Sequence, residues 1–189
     1  MEKVLENRAA ADHSRTKMLV LTALFAALGY VATAALQVPT PTNGYVNLGD
    51  AVVILGAFLL GPAYGAIAGG IGPALSDLLS GYMMWVPGTL VIKALMALAA
   101  ALLYRALGKK LGAILSAGVA AEVIMVGGYW LYTALINLSE EGGFRLALAA
   151  AAAGIPGNLV QAAFGIAAST LLALALKKSS YVRKEFPNL

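Results

Sequence analysis

The sequence predicts an all-α membrane protein: one bundle of six transmembrane helices with both termini on the cytoplasmic side. Three observations predict it. Hydrophobic residues fill 60% of the 189 positions and charged residues 12%, against an apolar share of about 45–50% in soluble domains. Apolar runs of about 20 residues, the length that crosses a bilayer, follow one another with short connections and leave no room for a soluble domain. The basic residues, finally, fall on one side of the resulting topology.

Residues 1–17 form a polar cytoplasmic lead-in, with Lys3, Arg8, Arg15 and Lys17 against Glu2, Glu6 and Asp12. The transmembrane domain is expected over 18–176, and a basic cytoplasmic tail over 177–189. The first span, 18–36, carries Ala23 and Ala27 on one face, with Ala26 and Ala34 nearby. Small residues at this spacing let another helix approach closely, although alanine is abundant throughout the chain. Ala32-Thr33-Ala34 after a basic lead-in also has the form of a secretory cleavage site; the full length of the apolar run favours a span. Residues 37–47 (QVPTPTNGYVN) are uncharged and rich in Pro, Thr and Asn, as befits an irregular loop.

From 48 to 81 the only charges are Asp50 and Asp77. As one helix this stretch would measure roughly 51 Å, against a hydrocarbon core of about 30 Å, so it must fold back. Gly61-Pro62 is the corner, because the pyrrolidine ring breaks the hydrogen-bond ladder and glycine tolerates the turn. That gives a short helix over 48–60 and a longer one over 62–81, on which Gly61, Gly65 and Gly69 mark a tightly packed face. The 82–86 loop (YMMWV) brings aromatics to interfacial depth. Pro87 opens a helix to about 107 with Lys93 inside it, and Arg105, Lys109 and Lys110 form the next connection. The span over 111–137 holds Glu122 near its middle and Tyr129, Trp130 and Tyr132 toward its end. An acidic loop, 139–145, precedes a last span over 146–176, broken or kinked at Gly154, Pro156 and Gly157 ahead of Asn158 and Gln161.

Six spans place Lys3, Arg8, Arg15, Lys17, Arg105, Lys109, Lys110, Lys177, Lys178, Arg183 and Lys184 on one side, 11 of the 13 basic residues, in agreement with the positive-inside rule. A single crossing over 48–81 would put the 105–110 loop outside. Because the net charge of +4 is distributed by topology, nucleic acid is not an expected partner; membrane lipid is.

Asp50, Asp77 and Lys93 lie near the outer ends of three helices, beneath the 37–47 loop. A lone charge at membrane depth is unfavourable by several kcal/mol, and an opposite charge or a solvated cavity relieves the cost. Two readings stay open. In one, Asp77 and Lys93 form a fixed ion pair between neighbouring helices and Asp50 caps its own helix. In the other, Lys93 and a carboxylate bond a polar ring or an anionic group of a ligand, with Tyr45, Tyr82, Trp85 and Tyr129 as apolar walls; the aromatics alone would also serve as interface anchors. Glu122, Asn158 and Gln161 either bond to one another between the last two spans or reach a ligand or a proton.

No catalytic set is visible. His13, the single histidine, lies in the lead-in, so neither a Ser-His arrangement nor a His-ligated metal is expected in the membrane. There is no cysteine and no G-x-x-x-x-G-K-[ST] phosphate loop.

Asn47-Leu48-Gly49-Asp50, Leu60-Gly61-Pro62 with Gly65 and Gly69, Asp77-Leu78-Leu79-Ser80-Gly81-Tyr82, Pro87, Lys93, and Pro156, Gly157, Asn158 and Gln161 together resemble the substrate-binding S components of energy-coupling factor (ECF) vitamin transporters. The likeness is greatest to the riboflavin, hydroxymethylpyrimidine and pyridoxine branch. It implies a six-helix fold whose pocket opens outward under the loop between helices 1 and 2, with Tyr45, Asn47, Asp50, Asp77, Tyr82, Trp85, Lys93, Glu122, Tyr129, Asn158 and Gln161 as substrate-binding candidates. It also implies a prokaryotic plasma-membrane location, a transmembrane T subunit contacted through Ala23 and Ala27, and two cytoplasmic ATPases that use the ATP, with no cofactor bound by this chain. Similar members often carry an acidic residue shortly after the lysine of helix 4; here Ala94, Leu95, Met96 and Ala97 stand there, which alters the charge balance around Lys93. The expected function is a non-enzymatic, high-affinity binding subunit for a small water-soluble vitamin or precursor, pyridoxine- or pyrimidine-like molecules leading. The alternatives are an autonomous ion-coupled carrier or channel using Asp77, Lys93 and Glu122 as relay groups, and a non-transporting membrane scaffold subunit.

Overall fold

The computed structural model describes the backbone of residues 2–140 and 142–189, and side chains from residue 14 onward except at 141. The expected basic positions Lys3 and Arg8, and the lone His13, lie outside the described side chains. Helix α1 runs Glu2–Ala35 without a break at the boundary expected near residue 17. A small hairpin pairs Val38–Pro39 with Tyr45–Val46. Then come α2 (Gly49–Leu60), α3 (Pro62–Leu79), a 3-10 turn (Met83–Trp85), α4 (Val86–Ala106) and α5 (Leu111–Ile136). The expected last span is divided into α6 (Phe144–Ala151), a 3-10 turn (Ala152–Gly154) and α7 (Ile155–Lys177), with Pro156 in the first turn of α7; α8 (Ser180–Glu185) follows.

The described residues are all-α apart from the hairpin, and among them four stretches are long and apolar enough to cross a membrane: Ser14–Ala35, Met83–Ala106, Leu111–Ile136 and Phe144–Lys177. The 12 residues of α2 reach only about 18 Å. The apolar character of α3 is diluted by Gly65, Gly69, Gly70, Gly72, Ser76 and Asp77.

Short as it is, α2 is the centre of the bundle. Eleven of its 12 residues are buried, and it touches α1, α3, α4 and α7. A helix apolar on every side has no solvent face to present and is stable only when enclosed. The corner behind it is Gly61, at φ +82°, with Pro62 opening α3. The glycines of α3 bring three helices in close. A Cβ on Gly65 would stand 2.8 Å from the Ala57 Cα, and one on Gly69 would lie 3.0 Å from Val53 and 3.1 Å from Ala97. Gly72 similarly faces α1, where a Cβ would lie 3.1 Å from the Tyr30 nitrogen.

At the Gly61 end the chain folds back on itself. Tyr104 Oη donates to the Leu189 carbonyl at 2.8 Å, Lys109 Nζ to the Pro187 carbonyl at 2.6 Å, and Asn188 Nδ2 to the Leu59 carbonyl at 3.3 Å. Lys17 pairs with Glu185, and Phe186 packs against the core cluster that holds Phe58 and Tyr104. The expected basic tail is therefore a folded cap over one end of the bundle, where Lys17, Arg105, Lys109 and Lys177 also gather.

Gly65→Ala should lower the melting temperature of the detergent-solubilised protein, because the α2 backbone has to move; overpacking of this kind costs about 1–3 kcal/mol. Gly112→Ala, where a Cβ meets nothing within 4 Å, should leave it unchanged or slightly raised.

Candidate functional site

The site is built around the first turn of α2. The Asn47 side chain accepts the Gly49 N–H at 2.8 Å, fixing the start of the helix and placing Asp50 one residue inside it. Asp50 and Lys93 form an ion pair with each side chain only 1% exposed. The second Asp50 oxygen accepts Gln161 Nε2 at 2.6 Å, and Gln161 Oε1 accepts the Asn47 N–H at 2.7 Å. A buried ion pair is tolerable when its remaining lone pairs are engaged in this way.

This corrects the first of the two open readings, the fixed Asp77–Lys93 pair with Asp50 as a cap. Lys93 bonds Asp50, not Asp77, and Asp50 makes no cap. The reason is the central position of α2, whose first turn faces α4 and α7, whereas Asp77 at the end of α3 faces the 37–47 loop. There Tyr45 Oη donates to Asp77 Oδ1 at 2.5 Å. Burial, reinforced by the facing carboxylate, raises the Tyr45 phenol well above its ordinary range, so it keeps the proton it donates. Thr89 stands beside Asp77, its hydroxyl paired with Tyr129 Oη at 3.0 Å, and Asp77 Oδ2 is left without a hydrogen-bond partner.

Above this layer lies a cavity of about 550 Å³, counting the open space at its mouth. Asp77, Thr89, Lys93 and Gln161 line its floor; Trp85, Tyr129 and Trp130 its walls; and Thr40, Thr42, Tyr45 and Asn47 its cover. Thr33, Thr133 and Asn158 line it too, beside the small or apolar Gly44, Pro73, Ala151 and Gly154. The cover is pinned at three further points. Trp85 Nε1 donates to the Asn43 carbonyl at 3.1 Å, Gln37 Nε2 to Ser80 Oγ at 3.1 Å, and the Thr40 N–H to the Gly44 carbonyl at 2.9 Å. Lys93 also lies 5.4 Å from the centre of the Tyr129 ring, a cation–π distance.

Of the candidates from sequence, Tyr45, Asn47, Asp77, Trp85, Lys93, Tyr129, Asn158 and Gln161 line this cavity. Asp50, Tyr82 and Glu122 do not. Asp50 stands behind Lys93, and Tyr82 packs against Tyr45 with ring centres 4.7 Å apart and the planes tilted by 56°. Glu122 lies beside Asp50 and against Gly165, 2% exposed, with neither carboxyl oxygen hydrogen-bonded. The expected bond from Glu122 to Gln161 is not made, because that amide is engaged by Asp50 and Asn47. Ala23 and Ala27 lie elsewhere, exposed on the outer face of α1 alongside Leu24 and Leu28.

The sequence reading missed Thr33, Thr40, Thr42, Thr89, Trp130 and Thr133 as lining residues. A buried threonine carries no charge and so leaves little trace in a hydropathy pattern. The signal was there in two cases: Thr89 is one turn from Lys93 and Thr133 one turn from Tyr129, so each shares a helical face with a candidate. Chemically, the arrangement suits non-covalent capture of a flat, partly polar molecule. Among the described residues no group of three or more His, Cys, Asp or Glu side chains could hold a metal ion.

Residues 13–178 match the family described as ECF-type riboflavin transporter, S component. A curated relative from Pyrococcus woesei, described as an uncharacterized protein in gap 3'region, is 47% identical over 64 residues, 33% of this chain and 43% of the relative. The match thus spans less than half the length of that relative.

Lys93→Met should destabilise the protein by about 3–5 kcal/mol, since it leaves Asp50 buried and unpaired; the double variant Asp50→Leu with Lys93→Met should recover much of that loss in thermal unfolding. Tyr45→Phe removes the bond between cover and floor. Hydrogen exchange at residues 38–46 should accelerate while the exchange of α2 stays slow.

Proposed function

The chain belongs to the S components of ECF-type transporters, and from that premise we propose that it is the capture subunit of an ATP-driven importer of a small water-soluble vitamin or vitamin precursor. The family makes it a membrane transport protein of the vitamin-binding kind. The observation that carries the finer reading is the covered cavity, with aromatic walls and a floor of Asp77, Lys93 and Gln161. Such a lining holds a heteroaromatic ring by stacking and orients it by a few hydrogen bonds. Nothing in the cavity suggests a nucleophile with its base, and the proposed role is binding without catalysis.

In this reading the chain crosses a prokaryotic plasma membrane six times, with α6 and α7 together forming the last span and both termini cytoplasmic. The end holding Gly61, Lys109 and the folded tail faces the cytoplasm, as the positive-inside rule requires, and the cavity faces outward. The exposed Ala23 and Ala27 face of α1 meets a transmembrane T subunit, small residues permitting close helix approach. Two cytoplasmic ATPases supply the energy, so this chain needs no cofactor of its own. Pyridoxine- and pyrimidine-like molecules are the leading substrates.

One observation favours the ion-coupled alternative: Glu122, a carboxyl buried beside Asp50, is the kind of group that takes up and releases a proton. Transport assays separate the two. Uptake of radiolabelled vitamin by proteoliposomes should require the T subunit and both ATPases with ATP. Uptake by this chain alone, driven by a proton or sodium gradient, would sink the proposal.

A further inference from the structure

We infer that Trp130 is a positioning residue for the cover of the cavity: its indole N–H fixes the break between α6 and α7, and that break is the seat on which the 37–47 loop closes. The inference deepens the reading of this cavity as the capture site, and its test needs no ligand.

The backbone hydrogen bonds around the break are the starting point. In an unbroken α-helix the Ala152 N–H would bond the Leu148 carbonyl. Here it bonds the Ala149 and Ala150 carbonyls, as the chain tightens into the 3-10 turn at Ala152–Gly154. A backbone carbonyl without a donor is costly at membrane depth, and Trp130 Nε1, on the neighbouring α5, donates to the Leu148 oxygen at 2.9 Å. Without that donor the regular helix, with its Ala152 to Leu148 bond, becomes the better arrangement. Helix α6 is otherwise held by a small apolar cluster, separate from the main core, in which Ala147 and Ala151 pack with Ala134. The chain enters it through Gly142 and Gly143, at φ +72° and +147°, where a Cβ would meet nothing within 4 Å. Neither feature opposes a rotation of α6.

The break carries the cover. A Cβ on Gly154 would stand 3.2 Å from Thr42 Oγ1, and one on Gly157 would stand 3.1 Å from Val46 Cγ1 and 3.5 Å from Thr40 Cγ2. The loop and its second strand thus rest on two glycines at the start of α7. One turn further on, Gln161 accepts the Asn47 N–H at 2.7 Å. A 3-10 turn advances about 120° per residue and an α-helix about 100°, so three residues of the tighter turn rotate α7 by about 60° relative to a continuous helix. The rotation is what presents Gly154, Gly157 and Gln161 to the cover. The bonds of Tyr45 to Asp77 and of Trp85 to Asn43 tie the same loop to α3 and to the 83–85 turn; the break supports it from α7.

The test is hydrogen exchange, read by mass spectrometry, on the purified full chain in detergent. In Trp130→Phe, exchange at 144–154 and at 38–46 is expected to rise about tenfold, the effect of losing one buried hydrogen bond, while α2 keeps its slow exchange. Gly157→Val leaves the indole bond in place, at a position that does not line the cavity, and is expected to speed exchange at 38–46 to a similar degree. Should Trp130→Phe fail to fold, replacement of Trp130 by benzothienylalanine, which keeps the fused ring and lacks the N–H, decides in its stead. Unchanged exchange at 38–46 in either variant overturns the inference. So does an equal rise in α2, which would make Trp130 a general support of the fold. None of these outcomes touches the capture reading, which falls separately if no vitamin binds.

Discussion

The burial of Lys93 is the constraint on which the rest of this structure depends. An ammonium 1% exposed in an apolar bundle is stable only with a carboxylate against it, and Asp50 can be that partner only if α2 stands at the centre of the fold. The remaining Asp50 oxygen then needs a donor, which draws in Gln161 of α7; Gln161 in turn accepts the Asn47 N–H, where the cover joins α2. One electrostatic requirement therefore ties together α2, α4, α7 and the chain that closes the cavity. Since removing one partner of such a pair costs more than replacing both, the pair specifies the arrangement more than it adds net stability.

Close packing supplies what the ion pair does not. Gly65, Gly69 and Gly72 let α3 approach α2, α4 and α1 at distances that no side chain would permit, so dispersion contacts accumulate over long helical lengths. Both ends of the bundle are closed, by different means. At one end a threonine- and tyrosine-bearing loop covers a polar-floored cavity through hydrogen bonds with Asp77, Trp85 and Ser80. At the other the chain's last residues lie over Tyr104 and Gly61, held by backbone carbonyls and basic side chains. The first closure depends on few bonds; the second is joined to the apolar core through Phe186 and Val182.

Most of the helical plan was legible along the chain. The Gly61-Pro62 corner, the break at Gly154 and Pro156, the opening of α4 near Pro87 and the basic α4–α5 connection all follow from local chemistry that acts within a turn of the residues concerned. That Asp50, Asp77 and Lys93 gather at one place was also readable, from the cost of burying charge. Less legible were the threonines of the cavity, whose small uncharged side chains disturb no apolar pattern, and the fate of residues 177–189, whose basic composition reads as a solvated tail although its carbonyls and Phe186 are what fasten it.

By itself, then, the sequence determined that the chain is an all-α membrane protein with costly charges concentrated in one layer, because hydropathy and backbone breaking are properties of neighbouring residues. Only the tertiary structure decided that Lys93 belongs to Asp50, that Asp77 turns to Tyr45 and keeps an oxygen free, and that Glu122 stands behind them without a hydrogen bond. Partner choice among buried charges depends on which helix lies at the centre and which way each turn faces. Those are set by close packing between segments far apart in the chain, and no spacing along the sequence encodes them.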